Sequence, residues 1–327
     1  MRVESFGGKL PARQGTPGPR GSRERQWFDI TRRTSLQRQW KRISFSRFWQ
    51  SAAAQAPAGT SLKELAQSLA VGVIATAAVL AAAAVGSPEW GRRREILASF
   101  RTKVEVDEIQ GRSLIALAVF SAAAGIPAAI GLLPVVVLVP LGGLVVMSMV
   151  RHRISRTRGG NDHAWLAILG VCAIAISARF QTLDTEAILG AQAVLGPTFL
   201  VAPYPSALFA GLAAAAGFIS CIFHVATAPV FTKDLAVGLD PLLRWLQTAL
   251  ATTVIAASVA GPSLAILSSG PFDLRMMLAV TASTVFLLIA VAGVSFARHW
   301  THRVPERPAL ISCALVAALC LLVQPLT

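Results

Sequence analysis

Seven long apolar runs constrain this chain more than any other feature of its sequence. The runs cover 66–86, 113–150, 164–178, 187–231, 245–267, 276–297 and 309–326. A membrane-spanning helix needs about 20 mostly apolar residues, and most of the runs reach that length. Only 14% of the 327 residues are charged, whereas a soluble domain carries about 25%. We therefore predict an all-α, polytopic transmembrane helical bundle. A soluble enzyme, a disordered chain and a disulfide-rich secreted module fit poorly.

The start of the chain has a different composition. Residues 1–63 contain thirteen basic and three acidic residues and form a predicted cytosolic tail, followed by a transmembrane domain over 64–327. Within the tail, aromatic residues alternate with arginines over 27–49, which is typical of an amphipathic helix lying in the headgroup region. The residues predicted to contact anionic lipid headgroups are Trp27, Trp40, Arg42 and Trp49. The alternative is an arm that folds against a protein partner. Nucleic acid is the less expected ligand on so apolar a chain.

Loop charges predict how the runs cross the membrane, because cytoplasmic loops collect Lys and Arg. The loops 87–112, 151–163 and 298–308 are all basic, as is the tail. If every run crossed, loops 87–112 and 151–163 would lie outside. All basic segments share the cytoplasmic side if 66–86 is a non-crossing or re-entrant helix and 187–231 is one crossing plus a re-entrant piece. That topology has seven crossings, within a predicted range of seven to nine membrane segments.

The run 113–150 is long enough for two spans and is predicted to form a hairpin that turns near Gly125 to Gly131, around Pro127. Other Pro and Gly residues also interrupt the apolar runs. Proline removes a helix hydrogen bond, and in hydrocarbon a broken helix survives only inside protein or against a water-filled cavity. The interrupted segments are Pro134–Pro140, Gly196-Pro197-Thr198 and Gly261-Pro262-Ser263, with Pro134, Pro197 and Pro262 spaced 63 and 65 residues apart. Broken helices at matching positions of a repeat indicate a transporter binding site. The alternative is chance, since Pro and Gly are common in membrane helices.

Two further polar residues lie inside apolar runs. His224 is an ionisable group in the run 187–231, and such groups are functional candidates by default. Its alternative role is a neutral side chain that bonds a facing helix. Gln192 is a second polar group in the same run and is more typical of interhelical bonding. The complete set of predicted substrate-binding residues is His224, Gly196, Pro197, Thr198, Gly261, Pro262, Ser263 and Gln192.

These features predict a multi-pass permease or exporter for a small anionic or neutral polar solute, in a bacterial inner membrane. The expected mechanism is alternating access around a cavity formed by the Gly-Pro breaks at 196–198 and 261–263, with His224 facing it. The alternative is a non-transporting membrane anchor or assembly subunit that recruits a partner through the basic tail, or a homo-oligomer. No motif predicts a catalytic residue, a cofactor or a metal site, so an enzyme is the less expected class. The four cysteines lie in apolar runs and are expected to be buried and unpaired.

Overall fold

The computed structural model describes residues 62–92, 94, 108–132, 136–155, 161–178, 180, 182–195, 206–226, 236–261 and 274–323. These residues are helical, apart from one isolated β-bridge between Val136 and Asp184 and the short connections. The α-helices are α1 (Leu62–Gly86), α2 (Glu108–Ala129), α3 (Leu138–Ser155), α4 (Asp162–Ala178), α5 (Thr185–Leu195), α6 (Ser206–Ala226), α7 (Ala236–Ala260), α8 (Leu274–Ala297) and α9 (Glu306–Val323). Short 3-10 helices, Pro88–Arg92 and Arg298–Arg303, follow α1 and α8. The all-α class predicted from the sequence is confirmed for this part of the chain.

Helix α7 is the centre of the bundle. It packs against α2, α3, α4, α5, α6 and α8, and 83% of its apolar stretch, Pro241–Ala260, is buried inside the protein. Four stretches are long and apolar enough to span a membrane: Leu208–Ala226, Pro241–Ala260, Met277–Thr301 and Glu306–Val323. The last two are only 17% buried within the protein, so most of their apolar surface faces outward. Apolar helices with outward-facing apolar sides are what an integral membrane protein presents to lipid.

The bundle has two ends that differ in chemistry. We call the end that contains Glu89, Arg151, Asp162, His224 and Arg298 the charged end. The opposite end, where α7 stops, we call the Gly261 end. The chain alternates between the two, because α3, α6 and α8 finish at the charged end, whereas α2, α7 and α9 begin there.

The hairpin predicted in 113–150 is present as α2 and α3, which pack against each other. Its turn begins at Gly131, the last residue of the predicted region from Gly125 to Gly131. Pro127 lies inside the last turn of α2, and the chain leaves the helix at Gly131, which has a φ of +71°. Only glycine adopts such a left-handed conformation without strain.

Helix α1 runs along the bundle. The non-crossing or re-entrant course predicted for 66–86 stays a prediction, since its apolar part, Ala70–Gly86, is shorter than the four stretches long enough to span a membrane. Gly72 lies beside Pro127 at the far end of α2, while Ala83 accepts a hydrogen bond from Ser295 Oγ at 2.6 Å near the charged end. Close packing explains the path, because the α-carbon hydrogen of Gly86 faces the backbone of Ala292 with no room for a Cβ. Loop charge alone does not report such a contact.

The interruptions predicted from Gly and Pro coincide with helix ends where the structure describes them. Helix α5 ends at Leu195 and α6 begins at Ser206, so the run 187–231 contains one short and one long helix. Helix α7 ends at Ala260, directly before Gly261. The four cysteines are buried and free, as predicted.

Candidate functional site

A cluster of charged and polar side chains is buried between α3, α4, α6 and α7 at the charged end. We call it the charged cluster, and its members are Ser148, Arg151, Asp162, His224 and Gln247. Each is no more than 2% exposed. Burying ionised groups in an apolar bundle costs several kcal/mol per ion unless each is paired and hydrogen-bonded. The contacts inside the cluster therefore decide whether it is stable.

Asp162, the first residue of α4, is at the centre of the cluster. Its Oδ1 lies 2.5 Å from Nδ1 of His224 on α6, and its Oδ2 accepts a hydrogen bond of 2.8 Å from the Ser148 hydroxyl on α3. Nε2 of His152 lies 3.4 Å from the same Oδ2. A carboxylate at the first turn of a helix is also stabilised by the helix dipole. Asp162 thus joins α3, α4 and α6.

The hydrogen bonds around Gln247 determine the tautomer of His224. Arg151 has only donors, so its NH1 must donate to Oε1 of Gln247, at 2.7 Å. The amide nitrogen of Gln247 then faces Nε2 of His224 at 2.6 Å and donates to it. Nε2 is therefore the acceptor, and Nδ1 carries the proton donated towards Asp162. His224 is neutral in this arrangement.

The cluster as a whole is electroneutral. Asp162 contributes one negative charge, Arg151 one positive charge, and neutral His224 with Gln247 links them across the bundle. Hydrogen bonds run from Arg151 to Gln247 and from Gln247 to His224, whose Nδ1 lies 2.5 Å from Oδ1 of Asp162 and 3.2 Å from its backbone carbonyl. The two buried ions balance each other in charge.

Two more histidines connect the charged cluster to the surface. The His152 side chain is 19% exposed, and its ring centroid lies 4.7 Å from that of exposed His163. On the opposite side, the Trp165 ring stacks on Phe223 with centroids 4.6 Å apart, and its Nε1 donates to Oε1 of Glu306 at 3.0 Å. The cluster is therefore reached through histidines on one side and closed by aromatic rings on the other.

A second ion pair lies at the same end. Arg298 donates to the Glu89 carboxylate and, at 3.2 Å, to the Ser87 hydroxyl, which joins the end of α8 to the 3-10 helix after α1. Burial raises the pKa of Glu89, but the positive charge of Arg298 and the hydrogen bond from Ser87 outweigh it, with a smaller contribution from Arg244. The pKa of Glu89 is lowered as a result. The pair ties two helices together and keeps Glu89 ionised.

The Gly261 end has polar contacts of another kind. Gln192 on α5 donates from Nε2 to the Ser258 carbonyl at 2.7 Å and accepts from the Gly261 N–H at 2.8 Å. Both partners are backbone groups at the end of α7, where carbonyls lack intrahelical partners. Gln192 thus caps α7 through an interhelical contact, and no charged side chain takes part in these two bonds.

The structure does not bring the predicted substrate-binding residues into one place. His224 contacts Gln247, whereas Gly261 lies 14 residues further along α7, a distance of about 21 Å in a helix. The expected cavity lined by both His224 and the Gly261 break is therefore not formed by these two residues. Other predicted residues lie outside the described part of the chain: Gly196, Pro197, Thr198, Pro262, Ser263, Trp27, Trp40, Arg42 and Trp49.

Sequence reasoning missed the partners of His224. Loop charge places Arg151 in a solvated basic loop over 151–163, but the residue is buried within α3, which extends to Ser155. Asp162 and Gln247 are not among the residues predicted from the sequence. One signal was present, since Asp162 is the single acidic residue in that basic loop and directly precedes an apolar run.

Among the described residues, one cavity lies between α2, α3, α5 and α7, near the Gly261 end. Its volume is about 10 Å³, which is room for about one water molecule. Pro140, Thr185 and Ser258 contribute to its wall. No group of three or more His, Cys, Asp or Glu side chains within the described residues is arranged to hold a metal ion.

Comparison with known proteins gives no further guide to this site, since no protein-family model and no curated protein sequence matches the chain.

Proposed function

We propose that the chain is a multi-pass membrane transport protein for a small anionic or neutral polar solute. The observation that carries this proposal is the charged cluster, which places an Asp–His pair and an arginine inside an otherwise apolar helical bundle. Ionisable groups at membrane depth are expensive and in membrane proteins mark substrate or ion pathways. The cluster, rather than the Gly-Pro breaks, is the part of the described structure best suited to bind a solute.

The balance of charge favours an anion or a neutral polar solute over a metal cation. The charged cluster contains a single carboxylate, that of Asp162, close to His152 and His224 and within the field of Arg151. A cation entering this site would meet the positive charge of Arg151, whereas an anion would find charge-assisted donors there. The charged cluster is therefore better suited to an anion or a neutral polar solute than to a metal cation.

The arrangement of the helices supports the membrane part of the proposal. Eight of the described helices run between the charged end and the Gly261 end, which supports seven to nine membrane segments. The basic loops predicted to be cytoplasmic, 87–112, 151–163 and 298–308, all leave or enter helices at the charged end. We infer that this end faces the cytoplasm of a bacterial inner membrane. The basic tail, with its predicted binding to anionic headgroups, remains part of this proposal.

Proteoliposome swelling tests the proposal with a panel of simple solutes. The purified full chain is reconstituted into liposomes, which are mixed with iso-osmotic sorbitol, or with potassium nitrate or phosphate plus valinomycin and a protonophore, and light scattering is followed. Transport appears as faster swelling than in protein-free liposomes with at least one solute. The Asp162→Asn variant is the matched control and should swell more slowly, because it removes the charge that holds His224.

Equal rates with and without protein for all solutes would contradict transport. A membrane anchor predicts that result, together with loss of a bound protein partner when the chain is shortened to begin at residue 61. A transporter keeps its swelling activity after the same truncation.

A further inference from the structure

We propose that protonation of His224 turns the charged cluster into a binding site for one small anion at Arg151. This inference rests on the proposed transport function and specifies its coupling: a proton and an anion bind together. The geometry that carries it is the pair of hydrogen bonds from Arg151 through Gln247 to Nε2 of His224, together with the close contact of His224 Nδ1 with Asp162.

In the structure, each link has only one possible direction. Arg151 can only donate, so Gln247 presents its oxygen to Arg151 and its amide nitrogen to His224. Nε2 of His224 is the one ring nitrogen left to accept a proton, because Nδ1 already donates to Asp162. A proton from water that binds to the pair therefore ends on Nε2.

That proton is incompatible with the present orientation of Gln247. The imidazolium has donors on both nitrogens, so its Nε2–H would face the amide NH₂ of Gln247 at 2.6 Å, donor against donor. The contact is restored when the amide turns by half a rotation and its oxygen accepts from His224. The NH₂ group then faces NH1 of Arg151, and the 2.7 Å bond between α3 and α7 is lost.

The balance of charge then requires an anion. Before proton uptake, Asp162 and Arg151 cancel, and afterwards the cluster carries one net positive charge. An uncompensated buried charge is strongly destabilising. A small anion that accepts from Arg151, in place of the Gln247 oxygen, restores both the neutrality and the lost hydrogen bond.

The residues around His224 offer a route for the proton. Among the described residues, Asp162 is the one acidic side chain that is buried. His152 on α3 faces Asp162, and His163 on α4 stacks near His152 and is exposed, so the two rings connect the pair to water. The other charged groups on neighbouring elements face elsewhere. Arg244 on α7 and Arg298 after α8 act on Glu89, and Glu306 on α9 bonds to Trp165.

Calorimetry of the purified full chain in detergent tests the coupling directly. Sodium nitrate and sodium phosphate are titrated into the protein at a series of pH values. Buffers with different heats of ionisation count the protons taken up. We expect about one proton per anion, and an affinity that weakens by up to about tenfold per pH unit as the pH rises, as reciprocal linkage requires.

Substitution of Gln247 separates this mechanism from a general electrostatic effect. Gln247→Met removes the amide, so Arg151 is available to the anion whether or not His224 is protonated. Anion binding persists, but proton uptake falls towards zero. Gln192→Met is the matched control, because it removes the other buried interhelical glutamine, about 21 Å away along α7. It leaves the proton count unchanged.

Gln247→Glu gives a second, independent test should Gln247→Met fail to fold. Its carboxylate accepts from Arg151 and from protonated His224 at once, so the bond to Arg151 is not released and anion binding is lost at every pH. The inference is overturned if neither anion binds, if binding takes up no proton, or if Gln247→Met retains the wild-type proton count. Swelling without coupled proton uptake contradicts this inference alone, whereas coupled binding without swelling contradicts the transport function alone.

Discussion

The two ends of the bundle each contain a buried glutamine, but the two glutamines bond to different groups. At the charged end, Gln247 joins two side chains, Arg151 and His224, and through His224 it is linked to Asp162. At the Gly261 end, Gln192 bonds to backbone groups of α7, the Ser258 carbonyl and the Gly261 N–H. The same residue type therefore forms a titratable network at one end and a helix cap at the other.

In a membrane bundle, a broken helix and a buried charge are therefore separate indications of a functional site. At the Gly261 end, the amide of Gln192 bonds to two backbone groups of the helix end. In the charged cluster, the hydrogen bond between Gln247 and His224 exists in only one protonation state of the histidine. Function is thus better sought where a proton changes the bonding than where a proline interrupts a helix.

The largest expected effect is at the charged end. Asp162→Leu leaves the buried Arg151 without its balancing charge, and breaking such a pair costs about 3–5 kcal/mol. The free energy of unfolding, measured by titration with denaturing detergent, should fall by that amount. Ser148→Ala removes one neutral donor to the same carboxylate, and we expect it to cost about 1 kcal/mol. Equal losses for the two variants would show that Asp162 is not ionised.

A smaller effect is expected from a methyl group at the other end. In Gly261→Ala, the new Cβ would overlap Leu189 Cδ2 and would lie 2.7 Å from the Ala257 oxygen, so side chain and backbone must both shift. Overpacking of this kind costs about 1–3 kcal/mol. Gly142→Ala on α3 is the control, because its Cβ meets nothing within 4 Å and a loss of stability there is not expected. Thermal unfolding of both variants provides the comparison.

The smallest effect is a pH dependence at the Glu89–Arg298 pair. Because the folded-state pKa of Glu89 is lowered from 4.5, the pair stabilises the fold above about pH 4.5, and this is lost as the pH falls through the folded pKa. The free energy of unfolding of the wild type should exceed that of Glu89→Gln by about 1 kcal/mol at pH 7, and the difference should disappear at a pH below the folded-state pKa of Glu89. Unfolding midpoints at the two pH values measure this. If the stabilities of the two proteins instead converged as the pH rose, the Glu89–Arg298 ion pair would be contradicted.

Much of the fold could be predicted from the sequence, because a membrane helix is marked by a continuous apolar run. Each of the seven runs corresponds to one or two helices, and the break before Gly261 is a real helix end. The path of α1 was not predictable in the same way. It depends on the contact of Gly86 with Ala292, which lie far apart in the sequence.

The candidate site could be predicted only at His224, since that residue alone among the cluster's ionisable groups lies inside an apolar run. Arg151 and Asp162 stand at the ends of runs, where charged residues are ordinary, and the positive-inside pattern places them in solvent. Their burial results from the convergence of α3, α4, α6 and α7 at the same end of the bundle. A single sequence does not encode that convergence in any local pattern.

The most direct test of the central claim compares the two buried glutamines in transport. Wild type, Gln247→Met and Gln192→Met are reconstituted in equal folded amounts, and swelling is followed in iso-osmotic ammonium nitrate and ammonium phosphate. In these salts ammonia crosses the bilayer unaided, so swelling requires the anion to enter together with a proton. We predict that Gln247→Met abolishes swelling and that Gln192→Met, although less stable, retains it. Loss of swelling in Gln192→Met with full activity in Gln247→Met would contradict the role of the charged cluster and assign the solute pathway to the Gly261 end.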